Sequence, residues 1–349
     1  MTERVLITGA GGFIGGRLVE VMHAGRVAAV RAAVRRWSTA ARVGRLPVDI
    51  VQCDIAQRTD VDRAMADVTS VVHCARGSPE LNATGTRNVL EASLAAGVRR
   101  VVHLSTIEVY GAADGEVDES WPLRATGSPY GDSKIEAEKL CIAYRARGLD
   151  VVVLRPAVVY GPFSGSWTIE FAQRFRSGAP FLPARYCEGT CNLVYVDDLV
   201  AAVLLALRSN GAAGEAFNVN GAECVTWNEY FEALNTAVGL PPLTRSGRVT
   251  AHLSARALLP VRKTAKLLLR HFEPQILAVY RRFAVARRFA RGIEGAIRRT
   301  PTPEEFTLYG RRAFYPTTKA ERILGYRPAF PMREGIALSA QWLRHHRFV

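Results

Sequence analysis

The feature that most constrains this chain is a glycine-rich turn close to its amino terminus. Residues 4–8 form a short apolar run that predicts a buried strand, and a helical pattern begins after residue 15. Four of the seven residues between them are glycines, namely Gly9, Gly11, Gly12 and Gly15. A strand, a glycine turn and a helix in this order let a pyrophosphate approach the backbone at a helix N-terminus. We therefore expect a dinucleotide to contact Gly9, Gly12, Phe13, Ile14 and Gly15, although an ordinary tight turn is the alternative.

The first half of the chain alternates apolar runs with helical patterns. The runs predict strands at 4–8, 27–34, 48–53, 71–74, 101–104 and 151–154, and a further strand at 217–219. Continuous apolar strands separated by helices predict an α/β fold with a doubly wound parallel sheet, that is, a Rossmann domain. We assign residues 1–161 to this NAD(P)-binding domain, with 193–220 returning to it. Residues 162–192 and 221–349 are assigned to a smaller, mostly C-terminal substrate-binding domain.

A second motif lies at residues 128–134, Ser-Pro-Tyr-Gly-Asp-Ser-Lys. Ser128 is a suitable helix N-cap and Pro129 suits the first helical position. Tyr130 and Lys134 are four residues apart, so a helix places them on one face. A nearby ammonium and a helix N-terminus both favour phenolate, so this tyrosine can exchange protons with a substrate hydroxyl. The alternative is a capped surface helix in which both residues are incidental.

Together these motifs resemble the extended short-chain dehydrogenase/reductase family of the NAD(P)-dependent epimerase/dehydratase type. Residues 8–15 match its T-G-x-x-G-x-x-G, and residues 130–134 match its Y-x-x-x-K. Residues 104–111 resemble its strand carrying a catalytic Ser or Thr, and residues 154–162 and 194–198 resemble further landmarks. The resemblance implies catalytic roles for Thr106, Tyr130, Lys134 and Glu108. It also implies cofactor contacts from Tyr130, Lys134, Ile55, Pro156 and Val158, and a homodimer.

The end of the second strand indicates which cofactor is bound. An acid there would bind the adenosine ribose, whereas an arginine accommodates a 2′-phosphate. The residues here are Arg35 and Arg36, with no acid, so we predict NADP, with NAD as the alternative. Both arginines pointing into solvent is the other interpretation. Asp54 ends the third strand, where family members use an acid near the adenine, or it caps the following helix.

Some positions depart from the family pattern. Dehydratases often carry Asp-Glu after the catalytic Thr, but Ile107 precedes Glu108 here, so the acid for 4,6-dehydration is missing. Glu108 is therefore either a catalytic carboxylate or a polar residue before a turn. Asn192 occupies a position at which UDP-sugar epimerases carry an arginine. We expect Asn192, Arg311 and Arg312 to contact the substrate, and the arginines can equally be solvated.

Charge and composition restrict the remaining possibilities. The six cysteines and seven histidines show no metal-ligand spacing, so we predict reduced cytosolic thiols and no metal site. No signal peptide or membrane span is evident, which predicts a cytoplasmic protein. Between Arg245 and Arg299 there are 14 Lys or Arg against two acids. Residues 274–299 form a basic amphipathic pattern that either lies peripherally on an anionic membrane or packs on the protein. No nucleic-acid recognition module accompanies this charge.

From these observations we predict an NAD(P)-dependent oxidoreductase of the epimerase type. Its small-molecule substrate is a nucleotide sugar, which passes through a transient keto intermediate. The alternatives are a net NADP-dependent reductase or dehydrogenase of a lipid-linked or steroid-like alcohol, a nucleotide-sugar decarboxylase and, least of all, a non-catalytic NADP-binding protein. Residues 312–315 resemble the 3β-hydroxysteroid dehydrogenase branch, which favours the first alternative.

Overall fold

The computed structural model describes residues 3–176, 182–183, 187–243, 245–246 and 302–349. The chain divides into two compact units. The first comprises Met1–Tyr160, Asn192–Glu223 and Ala313–Pro331, and the second comprises Gly161–Cys191, Cys224–Arg312 and Met332–Val349. The basic stretch 274–299 predicted from the sequence lies outside the described residues. Within them, no helix has the length and apolar character needed to cross a membrane.

The first unit contains the predicted parallel sheet. Its strands are β1 (Arg4–Thr8), β2 (Ala29–Val34), β3 (Asp49–Gln52), β4 (Ser70–His73), β5 (Arg100–Leu104), β7 (Val151–Pro156) and β12 (Ala216–Val219). They are ordered β3-β2-β1-β4-β5-β7-β12, and every neighbouring pair is parallel. The chain order reverses between β1 and β4, so the loops after these two strands lie side by side. This is the position at which doubly wound folds bind their ligands.

Helices lie between most of these strands along the chain, and one more follows the last strand. They are α1 (Phe13–Ala24), α2 (Arg58–Ala64), α3 (Pro79–Ala95), α4 (Pro129–Arg145), α6 (Val196–Arg208) and α9 (Thr318–Leu324). Every residue of β4, β5 and β7 is buried, as expected for strands covered on both faces. Apolar residues of α3, including Val89 and Leu90, belong to the same core cluster as Val101 of β5. The seven-stranded Rossmann-type sheet predicted from the sequence is confirmed.

Short strand pairs complete the first unit: β6 (Gly115–Glu116) with β15 (Ala313–Phe314), and β8 (Val158–Tyr160) with β11 (Leu193–Tyr195). The sequence predicts a continuous block, 221–349, for the second domain, but residues 313–331 belong to the first unit. Two contacts within that unit explain the difference. The β15–β6 pairing is one, and the backbone amides of Ala329 and Phe330, which donate to the carboxylate of Asp198, are the other.

The second unit is mainly helical. It contains α5 (Glu170–Arg176), α7 (Trp227–Ala237), α8 (Pro303–Gly310) and α10 (Met332–His345), with strands β9 (Leu182–Pro183), β10 (Thr190–Cys191), β13 (Val225–Thr226) and β14 (Arg245–Ser246). A wide π-type turn at 165–169 precedes α5. Aromatic rings fill its core, for example Trp227 against Tyr309 and Phe171 against Phe231, each pair with centroids 4.8 Å apart. Capping boxes at Thr226 and Thr302 begin α7 and α8.

Candidate active site

The glycine turn after β1 packs against its neighbours more closely than side chains would allow. Gly9 has a positive φ of 71°, and a Cβ atom there would lie 2.8 Å from the backbone of Ala75, in the loop after β4. A Cβ on Gly15 would lie 2.5 Å from the carbonyl oxygen of Gly9. Glycine at these two positions allows the turn to pack closely against the neighbouring loop and the first turn of α1.

The N-terminus of α1 suits a phosphate group. Gly12 is its N-cap, and neither a side-chain cap nor an acidic residue occurs in the first turn, which begins with Phe13 and Ile14. Several backbone N–H groups are therefore free of intrahelical partners at the positive end of the helix dipole. The backbone amides of this turn, which carries glycine at several positions, fit the diphosphate of a dinucleotide cofactor. Arg42 stabilises the helix by donating to the carbonyl oxygen of Phe13 at 3.1 Å and to the carboxylate of Glu20.

Helix α4 begins as the sequence predicts. The hydroxyl of Ser128 accepts the backbone N–H of Gly131 at 3.4 Å, and Pro129 is the first helical residue. Tyr130 is therefore in the first turn of α4, one turn before Lys134. Tyr130 is partly buried, whereas Lys134 is buried.

The ammonium group of Lys134 is directed at the sheet. Its Nζ donates to the carbonyl oxygen of Leu104, the last residue of β5, at 2.7 Å. Burial lowers the pKa of Lys134 to about 8. The side chain thus joins α4 to the end of β5, two residues before Thr106.

The pKa of Tyr130 differs from the sequence prediction. Burial raises the pKa above its ordinary value, the Arg76 guanidinium lowers it and the carboxylate of Glu108 raises it again. Arg76 is the cation that lowers the pKa of the phenol here, while the ammonium of Lys134 donates to the Leu104 carbonyl; that Lys134 also lowers the pKa of Tyr130 stays a prediction. The guanidinium carbon of Arg76 lies 5.5 Å from the centre of the Tyr130 ring.

Thr106 and Glu108 follow β5 directly. Thr106 is the N-cap of a short 3₁₀ helix at Ile107–Tyr110, and its hydroxyl oxygen accepts the backbone N–H of Glu108 at 3.2 Å. Both side chains are partly buried. The hydrogen bond from Lys134 to Leu104 brings α4 to the end of β5, and the carboxylate of Glu108 raises the pKa of Tyr130. The preceding Ser105 takes no part in this site, since its hydroxyl donates to the buried carboxylate of Glu138.

A buried ion pair beneath the site was not predicted from the sequence. Nη2 of Arg155, on β7, donates to Oε2 of Glu138, on α4, at 2.7 Å. Nη1 of Arg155 also donates to the hydroxyl of Tyr110, which donates to Oδ1 of Asn218 on β12. The available signal was spacing: Tyr130, Lys134 and Glu138 recur every four residues and so share one helix face.

The charged residues near the ends of β2 and β3 lie in different environments. Arg35 and Arg36 are exposed, and neither side chain makes a hydrogen bond or ion pair within the part of the chain that the structure describes. Asp54 is partly buried, and its Oδ1 accepts the N–H of Ala56 at 3.1 Å, which forms an Asx turn before α2. The next residue, Ile55, is a core residue whose side chain a Cβ on Gly85 would strike at 2.4 Å.

The other predicted site residues lie at the end of β7 and near residue 312. Pro156 is buried at the end of β7, and the partly exposed Val158 donates its N–H to the carbonyl oxygen of Asn192 at 3.0 Å. The amide of Asn192 is committed internally. Its Nδ2 donates to the Ala313 carbonyl at 2.9 Å, and its Oδ1 accepts Nδ2 of Asn220 at 3.0 Å. We therefore leave Asn192 out of the proposed substrate contacts.

The two candidate arginines near the carboxyl end of α8 differ in exposure. Arg311 is partly buried and follows α8, and its carbonyl oxygen accepts the N–H of Thr190 at 2.8 Å. Arg312 is exposed. Both remain predicted substrate contacts.

Comparisons with known proteins agree with this arrangement. A model of the NAD dependent epimerase/dehydratase family matches residues 5–220. The chain is 31% identical over 256 residues to sterol demethylase protein B of Methylococcus capsulatus. This alignment covers 68% of this chain and 75% of that protein. The chain is 34% identical over 263 residues to a dTDP-glucose 4,6-dehydratase of Streptomyces antibioticus, with 68% and 77% covered.

A solved structure supports the same relationship. The dTDP-glucose 4,6-dehydratase of Streptomyces venezuelae, solved with NAD bound, superposes with a TM-score of 0.73 at 26% identity, over 99% of this chain and 98% of that one. The family match extends over more than half of the chain, from the glycine turn through the Tyr130 helix to β12. This chain therefore belongs to the NAD dependent epimerase/dehydratase family of enzymes.

Proposed function

We propose that this chain is a sugar-nucleotide epimerase-type oxidoreductase that acts through a transient keto intermediate. The observation that carries the proposal is the meeting of α4 and β5. There Lys134 binds the Leu104 carbonyl, Thr106 caps the short helix that carries Glu108, and the carboxylate of Glu108 raises the pKa of Tyr130. These groups can move a proton to and from a substrate hydroxyl. A dinucleotide bound at Gly9, Gly12 and Gly15 would supply hydride transfer.

The roles of the side chains follow from their contacts. Tyr130 takes the hydroxyl proton of the substrate and later returns it. Thr106 accepts a backbone N–H through its oxygen, so its own hydroxyl proton remains available to donate to the reacting oxygen. Lys134 holds the start of α4 against β5. Its ammonium group, with a pKa of about 8, supplies a positive charge there.

We also propose that the cofactor is NADP rather than NAD. The exposed Arg35 and Arg36 at the end of β2 favour a 2′-phosphate and hence NADP, although the family is described as NAD dependent. Asp54 has one carboxylate oxygen engaged in its turn, so the other remains for the nucleoside. Ile55, Pro156 and Val158 would line the cofactor site with apolar surface.

Product analysis tests this function directly. The purified chain is incubated with UDP- or dTDP-hexoses and a small amount of NAD or NADP, and products are followed by NMR and mass spectrometry. An epimer of unchanged mass without net cofactor consumption is expected. A mass loss of one water contradicts the role of Ile107, which replaces the acid of 4,6-dehydratases. A loss of carbon dioxide from a hexuronic acid substrate would instead favour the decarboxylase alternative.

A second function has an observation in its favour. The 31% identity to sterol demethylase protein B favours a steroid-like substrate, and we therefore keep a net NADP-dependent dehydrogenase or reductase of a steroid-like alcohol as the second candidate. The same assay with a 3β-hydroxysteroid separates the two functions. Net formation of one NADPH per ketone, and no change in any nucleotide sugar, would replace the epimerase proposal with this one.

A further inference from the structure

The charges around the Tyr130 hydroxyl come from three parts of the first unit. The loop after β4 contributes Arg76, and the 3₁₀ helix after β5 contributes Glu108. Helix α4 itself carries Lys134, which is bound to the Leu104 carbonyl, and Asp132, whose Oδ1 accepts the backbone N–H of Thr126 at 2.7 Å. Arg76 is thus the cation that faces Tyr130 from outside its own helix.

Arg76 is placed as an electrostatic partner. Its guanidinium carbon lies 5.5 Å from the ring centre of Tyr130, within the range of cation–π contact. The residue is exposed, and no carboxylate within the described residues forms an ion pair with it. Its charge is therefore not neutralised by an acid, and it acts on the phenol rather than on a structural ion pair.

The loop that carries Arg76 is fixed to the backbone of Tyr130. The N–H of Gly77 donates to Oδ1 of Asn82, on α3, at 2.9 Å, and Nδ2 of Asn82 donates to the hydroxyl of Ser133, on α4, at 2.9 Å. That hydroxyl donates to the carbonyl oxygen of Tyr130 at 2.7 Å. Asn82 and Ser133 are both buried, so the hydrogen bond between them is shielded from water, and the chain of hydrogen bonds fixes the loop next to α4.

We propose that Arg76 is a positioning residue that stabilises the phenolate of Tyr130, and that Asn82 and Ser133 hold it there. Lys134 is bound to the carbonyl of Leu104 at the end of β5, whereas the guanidinium of Arg76 lies over the ring of Tyr130. The proposal rests on the role of Tyr130 as proton acceptor in the proposed function. An opposite charge within ~4–6 Å typically lowers the pKa of an acid by about 1–3 units.

The test measures ionisation at position 130 without any turnover. Tyr130 is replaced by a difluorotyrosine that ionises near neutral pH, and its single ¹⁹F NMR signal is followed against pH in the full chain. Arg76→Met is expected to raise the pKa of this residue by about 1 unit, and Arg76→Lys to restore most of the shift. The matched control is Arg87→Met, an exposed arginine on α3, which should change nothing.

The salt dependence of the pKa and an Asn82 variant test how Arg76 acts and what holds its loop. Raising the salt from 0.1 M to 1 M should reduce the effect of Arg76, since an exposed charge is screened. Asn82→Ala should raise the pKa in the same direction as Arg76→Met, because the loop loses its anchor. An unchanged pKa in Arg76→Met overturns the proposal, and an unchanged pKa in Asn82→Ala overturns the anchoring role. Failure of the proposed function would appear separately, as normal turnover in Tyr130→Phe.

Discussion

The carboxylate of Glu138 and the guanidinium of Arg155 form a buried ion pair that joins the catalytic helix α4 to strand β7. The shortest contact is 2.7 Å, and the exposed fractions of the two side chains are 2% and 7%. Three nitrogen–oxygen hydrogen bonds link them, Ser105 also donates to the carboxylate, and Arg155 also donates to the hydroxyl of Tyr110. Because Tyr130, Lys134 and Glu138 share one face of α4, this pair helps to fix the orientation of the residues proposed for proton transfer.

Replacing one partner of this pair should be costly. Glu138→Gln leaves the charge of Arg155 buried beside a neutral amide, and we expect the free energy of unfolding to fall by about 3 kcal/mol. Urea denaturation measures the change. The control is Glu136→Gln on the same helix, whose partner Lys139 is exposed, and it should change stability by less than about 0.5 kcal/mol. Equal effects of the two substitutions would mean that the buried pair contributes nothing specific.

A buried histidine should make the fold sensitive to acid. His103, on β5, is buried beside His73, and neither of its ring nitrogens has a hydrogen-bond partner among the described residues. Burial holds the pKa of His103 well below its ordinary 6.5, so below that pH the unfolded chain binds a proton that the folded chain does not. Stability is therefore lost as pH falls through this range.

His103→Leu tests this sensitivity. The substitution removes an unpaired polar group, so stability at pH 7 should be unchanged or higher by on the order of 1 kcal/mol. The stability difference between His103→Leu and the wild type should grow as the pH falls from 6.5 to 4, and thermal unfolding measures it. The exposed His345→Asn serves as control. A difference that does not widen towards acid would show that His103 is not the acid-sensitive group.

Removal of the Tyr130 hydroxyl should separate chemistry from binding. We expect Tyr130→Phe to lower turnover by about 10²–10⁴-fold, as for the loss of a general acid–base, while cofactor binding is retained. Cofactor binding is followed by fluorescence titration and turnover by product formation. Tyr144→Phe, on the same helix and buried, provides the matched control and should be active. Turnover near the wild-type value in Tyr130→Phe would rule out the proposed mechanism.

The two exposed arginines after β2 should discriminate between cofactors. Charge-assisted hydrogen bonds contribute about 1.5–3 kcal/mol each, so Arg35→Ser with Arg36→Ser should weaken NADP binding by about tenfold or more. NAD binding should hardly change, because NAD lacks the 2′-phosphate. Isothermal titration with each cofactor gives the ratio, and Arg45→Ser is the control for a nearby exposed arginine. If wild-type protein binds NAD as tightly as NADP, the NADP preference is wrong.

The features that depend on short stretches of the chain follow from the amino-acid sequence alone. The glycine turn, the seven strands and the Ser128–Pro129 start of α4 were predicted because each is encoded within a few residues by apolar period, glycine or capping chemistry. The spacing of Tyr130 and Lys134 on one helix face belongs to the same class. These local signals were sufficient for the fold and the family resemblance.

The directions and surroundings of these side chains depend on contacts between distant parts of the chain. Lys134 donates to the carbonyl of Leu104, 30 residues away in sequence, and Arg76, from a loop more than 50 residues before α4, lies beside the ring of Tyr130. The side-chain amide of Asn192 likewise donates a hydrogen bond to a residue far along the chain, Ala313. Such contacts depend on which strand ends become neighbours in the sheet, and burial then sets the pKa of each group. The order of residues along the chain shows neither which strand ends are neighbours nor how deeply each group is buried.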